Sequence, residues 1–213
     1  SVRNKENPLA NIITISRFPL LLIFMLMLYY GNPSIRLISV PLLFVALMFD
    51  SLDGIIARRT GKVSLSGSVL DIAADRVYEL VLWVSFADLR VIPVAIPLTV
   101  ITRTVLTDAI RSLGVRNGTA PFDQHETKLG NLIVRSRGMR LGYGLAKMIS
   151  FCGLTLGFAF SGFPEGTANF EASSTILMIF TVTSWIAVTL CVVRGLPVIL
   201  GAIKRSLRNT EED

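Results

Sequence analysis

Six apolar stretches of membrane-crossing length, joined by short polar connections, constrain this chain more than any other feature. A crossing helix needs about 20 predominantly apolar residues, and such runs fall at about 11–30, 34–59, 64–87, 92–113, 140–160 and 174–203. Together with their connections they fill the 213 residues, so no separate soluble domain is expected. A hydrophobic content of 52% and a mean hydropathy of +0.61 agree. The first run is too long for the apolar core of a signal peptide and lacks an A-x-A-like exit, so it reads as the first span. The predicted fold is an all-α integral membrane protein with six transmembrane helices. It forms one domain over 1–213, with an interfacial arm at 1–8 and a tail at 204–213.

Orientation follows from where the net charge of +6 is carried. Six spans put both termini on one side. That side holds Arg3 and Lys5, then Arg58, Arg59 and Lys62, the long connection with Arg116, Lys128, Arg135 and Arg137, and the tail with Lys204, Arg205 and Arg208. The opposite turns hold only Arg36 and Arg90, and residues 161–174 carry Glu165 and Glu171 with no basic residue. Excess Lys and Arg mark the cytoplasmic side, so the termini are expected to be cytoplasmic and the protein to lie in the cell membrane. The basic balance then reflects topology and anionic headgroups, and no nucleic-acid partner is expected. Cys152 and Cys191 sit singly in apolar runs, without the spacing of a zinc site or a disulfide framework, and read as buried thiols.

Against this apolar background stand four carboxylates, Asp50, Asp53, Asp71 and Asp75. At about 100° per residue, Asp50, Asp53 and Ala57 share one face at the cytoplasmic end of span 2 with Gly54 beside them, and Asp71 and Asp75 are i, i+4 neighbours on span 3. Each ionised carboxylate at membrane depth costs about 2.5–3.5 kcal/mol even on the lenient scale. Arg58 and Arg76 cannot offset all four. Hard divalent cations with oxygen ligands, Mg²⁺ or Mn²⁺, are the natural counter-charge, and a pair of such ions clamps phosphate groups. Gly54, Ala57 and Gly67 remove bulk beside the acids. That leaves room for a close-approaching ligand, or it serves helix packing. Span 1 carries Asn11, Ser16, Arg17 and Pro19 near the same end; Arg17 either faces the acids or reaches back to the interface.

The spacing Asp50-x2-Asp53-Gly54-x2-Ala57-Arg58-x8-Gly67-x3-Asp71-x3-Asp75 resembles the complete motif of the CDP-alcohol phosphotransferase family, with eight fixed residues and no departure. The resemblance implies that Asp50, Asp53, Asp71 and Asp75 hold two Mg²⁺ or Mn²⁺ ions, with Asp75 also acting as general base. It implies that Gly54, Ala57, Arg58 and Gly67 form the CDP site. The reaction implied is transfer of a phosphatidyl-type group from a CDP-linked lipid, CDP-diacylglycerol, to an alcohol, with release of CMP. No Ser–His pairing accompanies the acids, which favours direct attack over a covalent intermediate. His125, the sole histidine, reads as a loop residue.

The acceptor is less constrained. Arg103 and Arg111 share a face of span 4 two turns apart, and Arg137 and Arg140 open span 5; together with Lys147 they suggest a second anion site. Positive-inside charge meeting anionic headgroups is the competing reading. The segments Ile101-Thr102-Arg103 and Asp108-Ala109-Ile110-Arg111 are similar to the fourth-helix segment of phosphatidylglycerophosphate synthases, which use glycerol 3-phosphate, with a departure at Thr104. Inositol phosphate is the alternative acceptor. A cation transporter using intramembrane acids is the reading from another class, disfavoured because all four acids lie near cytoplasmic helix ends. The resemblance also implies a homodimer. Gly138 with Gly142, and Gly153 with Gly157, could serve it, although packing within the chain is the stronger expectation for each. Asn117-Gly118-Thr119 matches a glycosylation sequon on the predicted cytoplasmic side, and reads as chance.

Overall fold

The computed structural model describes the backbone of residues 8–60, 65–116 and 137–212, and side chains over 17–48, 72–110, 112, 138–139 and 141–203. Six helices lie within these residues: α1 Pro8–Tyr30, α2 Pro33–Thr60, α3 Leu65–Asp88, α4 Ala95–Arg116, α5 Arg137–Ser161 and α6 Ala168–Glu212. No strand occurs among the described residues. The all-helical expectation holds, and each predicted span falls on one helix.

The helix ends follow local chemistry. Pro8 opens α1 where its missing N–H costs nothing. The Gly31 amide closes α1 on the Met27 carbonyl at 3.0 Å, and a Cβ at Gly31 would strike that same oxygen. Asn32 then caps α2, its Oδ1 accepting from the Ile35 amide at 2.9 Å with Pro33 in the first helical position. The C-terminus of α3 is a Schellman motif. Arg90 takes a left-handed φ of 58°, Val91 donates to the Phe86 carbonyl at 2.8 Å, and Arg90 donates to Ala87 at 3.0 Å. Thr167 caps α6 through Phe170 at 3.3 Å. Two boundaries differ from expectation. α4 begins at Ala95, beyond Pro93, and α6 continues to Glu212 through the segment expected to be a separate tail.

Leu141–Ser161 and Ala168–Ile203 are long and apolar enough to cross a membrane, and Arg17–Tyr30 and Pro33–Met48 are shorter apolar helices. Large apolar side chains are exposed on every helix, among them Leu26, Ile38, Val84, Leu98, Leu145 and Met178.

The chain divides into two compact units. The first comprises residues 1–91 and 151–180, the second 92–150 and 181–213, so α5 and α6 contribute to both. In the first unit α1 packs on α2 and on α3. Its core centres on Phe151, which meets Trp83 edge-on at 4.5 Å and stacks on Phe86 at 6.0 Å. Gly153 and Gly157 of α5 lie directly against Phe180 and Leu177 of α6, where a Cβ would collide. These glycines therefore serve packing within the chain. Arg36, one of the two basic residues expected on the side opposite the termini, is held by the protein itself: its Nε donates to the Leu28 carbonyl at 3.0 Å and its guanidinium lies 4.5 Å from the Phe158 ring centre. In the second unit Ile96, Val100 and Thr107 of α4 are buried, as are Tyr143 of α5 and Val188, Cys191 and Val198 of α6. Ser150 donates to Thr183 at 3.1 Å between α5 and α6.

Candidate active site

The acidic motif occupies two successive helices. The unbroken backbone of α2 carries Asp50, Asp53, Gly54, Ala57 and Arg58, and α3 carries Gly67, Asp71 and Asp75. The helical period assumed from sequence is thus present across both halves. The side chains of all these residues except Asp75 lie outside the described residues, as do those of Arg111, Arg137 and Arg140. Asn117–Thr119 and His125 lie outside altogether.

Asp75 shows what α1 contributes. Arg17 is only 5% exposed, and its Nη2 donates to Asp75 Oδ1 at 3.0 Å. Tyr78, three residues beyond Asp75 on the same face of α3, donates its hydroxyl to the Arg17 carbonyl at 2.6 Å. The Tyr78 ring lies 5.2 Å from the guanidinium carbon. Two residues of α3 thereby hold one residue of α1, and of the two readings the sequence left open for Arg17 the structure shows it turned to the motif's Asp75. A buried guanidinium needs a carboxylate to offset its lost hydration, and Asp75 supplies it. The Asp75 side chain itself remains 46% exposed, open to a ligand. Further along α3, Arg76 turns to Glu79 at 4.0 Å, and Glu79 is buried. Neither Tyr78 nor Glu79 stood out in sequence, because an aromatic and a glutamate at helical spacing look like ordinary surface or core positions.

An all-oxygen donor set suits a hard divalent ion. The motif places four aspartates on the consecutive helices α2 and α3, and the one carboxylate among them that is described, that of Asp75, is half-exposed and of this donor type.

The second unit holds a further group of cations. Tyr143 gathers Lys147, with Nζ 4.6 Å from the ring centre, and Arg194, with Cζ at 5.7 Å. Arg194 was not singled out, although the reasoning applied to Arg103, a basic residue inside an apolar run, applies equally to it. Arg103 is 9% exposed and lines a groove with Leu98, Leu106, Val192 and Leu196.

Known proteins share sequence with this chain. The probable phosphatidylglycerophosphate synthases of two Mycobacterium tuberculosis strains, CDC 1551 / Oshkosh and H37Rv, are each 27% identical over 116 residues, covering 53% of this chain and 56% of theirs. The CDP-diacylglycerol–serine O-phosphatidyltransferase of Methanocaldococcus jannaschii is 42% identical over 67 residues, 32% of this chain and 31% of that protein. The chain thus spans about half the length of the mycobacterial relatives, or less for the archaeal one. The sequence profile described as CDP-alcohol phosphatidyltransferase matches residues 7–193, from the start of α1 into α6, and so takes in Arg17 as well as both motif helices. With that match across most of its length, the chain belongs to the CDP-alcohol phosphatidyltransferase family.

Proposed function

We propose that this protein transfers a phosphatidyl group from CDP-diacylglycerol to a phosphorylated alcohol, glycerol 3-phosphate in the first instance, and releases CMP. The observation that carries the reading is the clamp on Asp75. A half-exposed carboxylate, fixed on one oxygen by a buried arginine, ends a motif spread over two consecutive helices. Asp50, Asp53, Asp71 and Asp75 hold the Mg²⁺ or Mn²⁺ pair. Bound there, the ions offset the carboxylates and stabilise charge on the departing phosphate oxygen. Gly54 and Gly67 leave room for the cytidine diphosphate, Ala57 lines its site, and Arg58 pairs with phosphate. Asp75 accepts the proton of the attacking hydroxyl. Arg17 fixes the rotamer from which it does so, so the acid is oriented before the acceptor arrives.

The acceptor's phosphate is held by Arg111, Arg137 and Arg140 at the basic ends of α4 and α5. The cations gathered on Tyr143 support an anionic acceptor. Arg103 was grouped with them from sequence, but its groove has largely apolar walls, which suit a lipid better than a polyol. The mycobacterial relatives' name favours glycerol 3-phosphate, and the archaeal relative's name favours serine as the second reading. All six helices cross the cell membrane as one catalytic domain, with termini and acids on the cytoplasmic side. The exposed apolar side chains on every helix and the basic bias of one set of connections support this. The functional unit is a homodimer, as the family resemblance implies.

The test is CMP release by purified protein given CDP-diacylglycerol, Mg²⁺ or Mn²⁺, and glycerol 3-phosphate, inositol phosphate or serine. Release with glycerol 3-phosphate is expected, with Arg111→Ala raising the acceptor KM far more than the lipid KM. Release with serine alone would replace the acceptor. No release with any alcohol, together with cation flux in vesicles, would replace the enzyme reading by a transporter.

A further inference from the structure

We infer that Arg103 and the groove before it bind an anionic phospholipid of the surrounding bilayer, the phosphate on the guanidinium and an acyl chain along α4 and α6. Arg103 is 9% exposed, and its guanidinium has no hydrogen-bond or ion-pair partner among the described residues; Nε is buried without one. A cation so placed carries a penalty of several kcal/mol unless an anion offsets it. The protein makes room for that cation. A Cβ on Gly195 of α6 would lie 2.7 Å from Arg103 Nε and 2.9 Å from its Cγ, so a bare backbone at 195 lets the side chain lie flat between the helices.

The groove in front of Arg103 has a volume of ≈ 360 Å³, within the range of about 300–1,000 Å³ usual for ligand sites. Leu98 and Leu106 of α4 and Val192 and Leu196 of α6 wall it, with two hydroxyls from Thr99 and Thr102, that of Thr99 already donated to the Ala95 carbonyl at 2.8 Å. A small phosphorylated alcohol needs several polar partners for its hydroxyls, and these walls offer few. An aliphatic chain needs what they do offer. Val105 of α4 and Leu200 of α6, near the groove on the same helices, are exposed apolar side chains. On the membrane reading given under Proposed function, on which this inference rests, they face hydrocarbon, so the anion that reaches Arg103 arrives attached to a lipid. The planar fork of arginine matches the paired oxygens of a phosphodiester.

The experiment is native mass spectrometry of the full chain released from a mild neutral detergent after addition of phosphatidylglycerol. Wild type is expected to retain one phosphatidylglycerol, severalfold more than phosphatidylcholine, and Arg103→Leu to retain about tenfold less. Leu106→Trp, which fills the groove and leaves Arg103 in place, is expected to lose the lipid equally and decides the matter should Arg103→Leu fail to fold. Equal retention by wild type and the folded variants overturns the inference. Displacement by glycerol 3-phosphate also overturns it, in favour of an acceptor site, and displacement by CDP-diacylglycerol does so in favour of the donor site. Retention is scored without turnover, so failure here is distinct from failure to release CMP.

Discussion

Replacing Arg17 by Met tests whether the clamp on Asp75 serves the reaction. Methionine keeps an unbranched apolar chain in the space and removes the charge, so no buried ion is left behind. A charge-assisted hydrogen bond is worth about 1.5–3 kcal/mol when well shielded. Here one partner is buried and the other 46% exposed, which moves the value toward the exposed-pair range of about 1 kcal/mol or less. A coupling of about 1–2 kcal/mol is therefore expected, which is a fall of about five- to thirtyfold if it acts on the transition state. The assay is CMP release from CDP-diacylglycerol at saturating acceptor, for wild type, Arg17→Met, Asp75→Asn and the double variant. Arg17→Met should lower kcat about tenfold and leave the CDP-lipid KM within about twofold. In the Asp75→Asn background it should cost nothing more, and Arg17→Lys should recover part of the rate. An equal fall in both backgrounds would show that Arg17 acts independently of Asp75 and would refute the positioning role. Stability gives a second readout. Asp75→Leu takes the carboxylate from a buried guanidinium, a change that costs about 3–5 kcal/mol when the pair is fully buried and less here. It should lower Tm more than Arg17→Met does.

Tyr78→Phe removes the 2.6 Å bond to the Arg17 carbonyl while keeping the ring; a loss of about 0.5–1.5 kcal/mol in detergent unfolding is expected, with a smaller fall in kcat than Arg17→Met. Gly153→Ala drives a Cβ into the Phe180 ring and should cost about 1–3 kcal/mol, whereas Gly142→Ala meets nothing within 4 Å and should be neutral or stabilising; equal effects would contradict the packing role. Arg90→Gly relieves the left-handed φ of 58° and should stabilise by up to about 1 kcal/mol, read as a higher Tm. Chelation should abolish CMP release and added Mg²⁺ or Mn²⁺ restore it; full activity in excess chelator would remove the metal from the reading.

Helix placement was legible because hydrophobic length is a strong signal and the turn at Gly31, Asn32 and Pro33 spells out its own caps. Boundaries slipped where a proline or a continuing helix overrode composition, as at Pro93 and in the α6 extension. The acidic motif was legible as spacing. Its α1 partner was only half so, since a basic residue near a helix end serves an interface or a site equally well until the facing residue is known. Tyr78 and Asp75 settle that for Arg17 through contacts 61 and 58 residues apart in sequence, which no local pattern encodes. Arg194 is a different kind of miss: its sequence signal equalled that of Arg103.

The three arginines whose surroundings are best defined show how a chain of this composition accommodates internal cations. Each arginine needs negative potential nearby. Arg17 takes it from an aspartate that the proposed reaction also uses, coupling the fold of α1 to the chemistry on α3. Arg36 takes it from a backbone carbonyl and the face of Phe158, neutral groups that fix a turn and ask nothing of the site. Among the described residues Arg103 has neither, although the bare backbone of Gly195 makes room for it. A packing role at so buried a position would be served at lower cost by leucine. The inferred lipid phosphate would supply to Arg103 what Asp75 and the Leu28 carbonyl supply to the other two, and the apolar groove in front of it suits the lipid's chain.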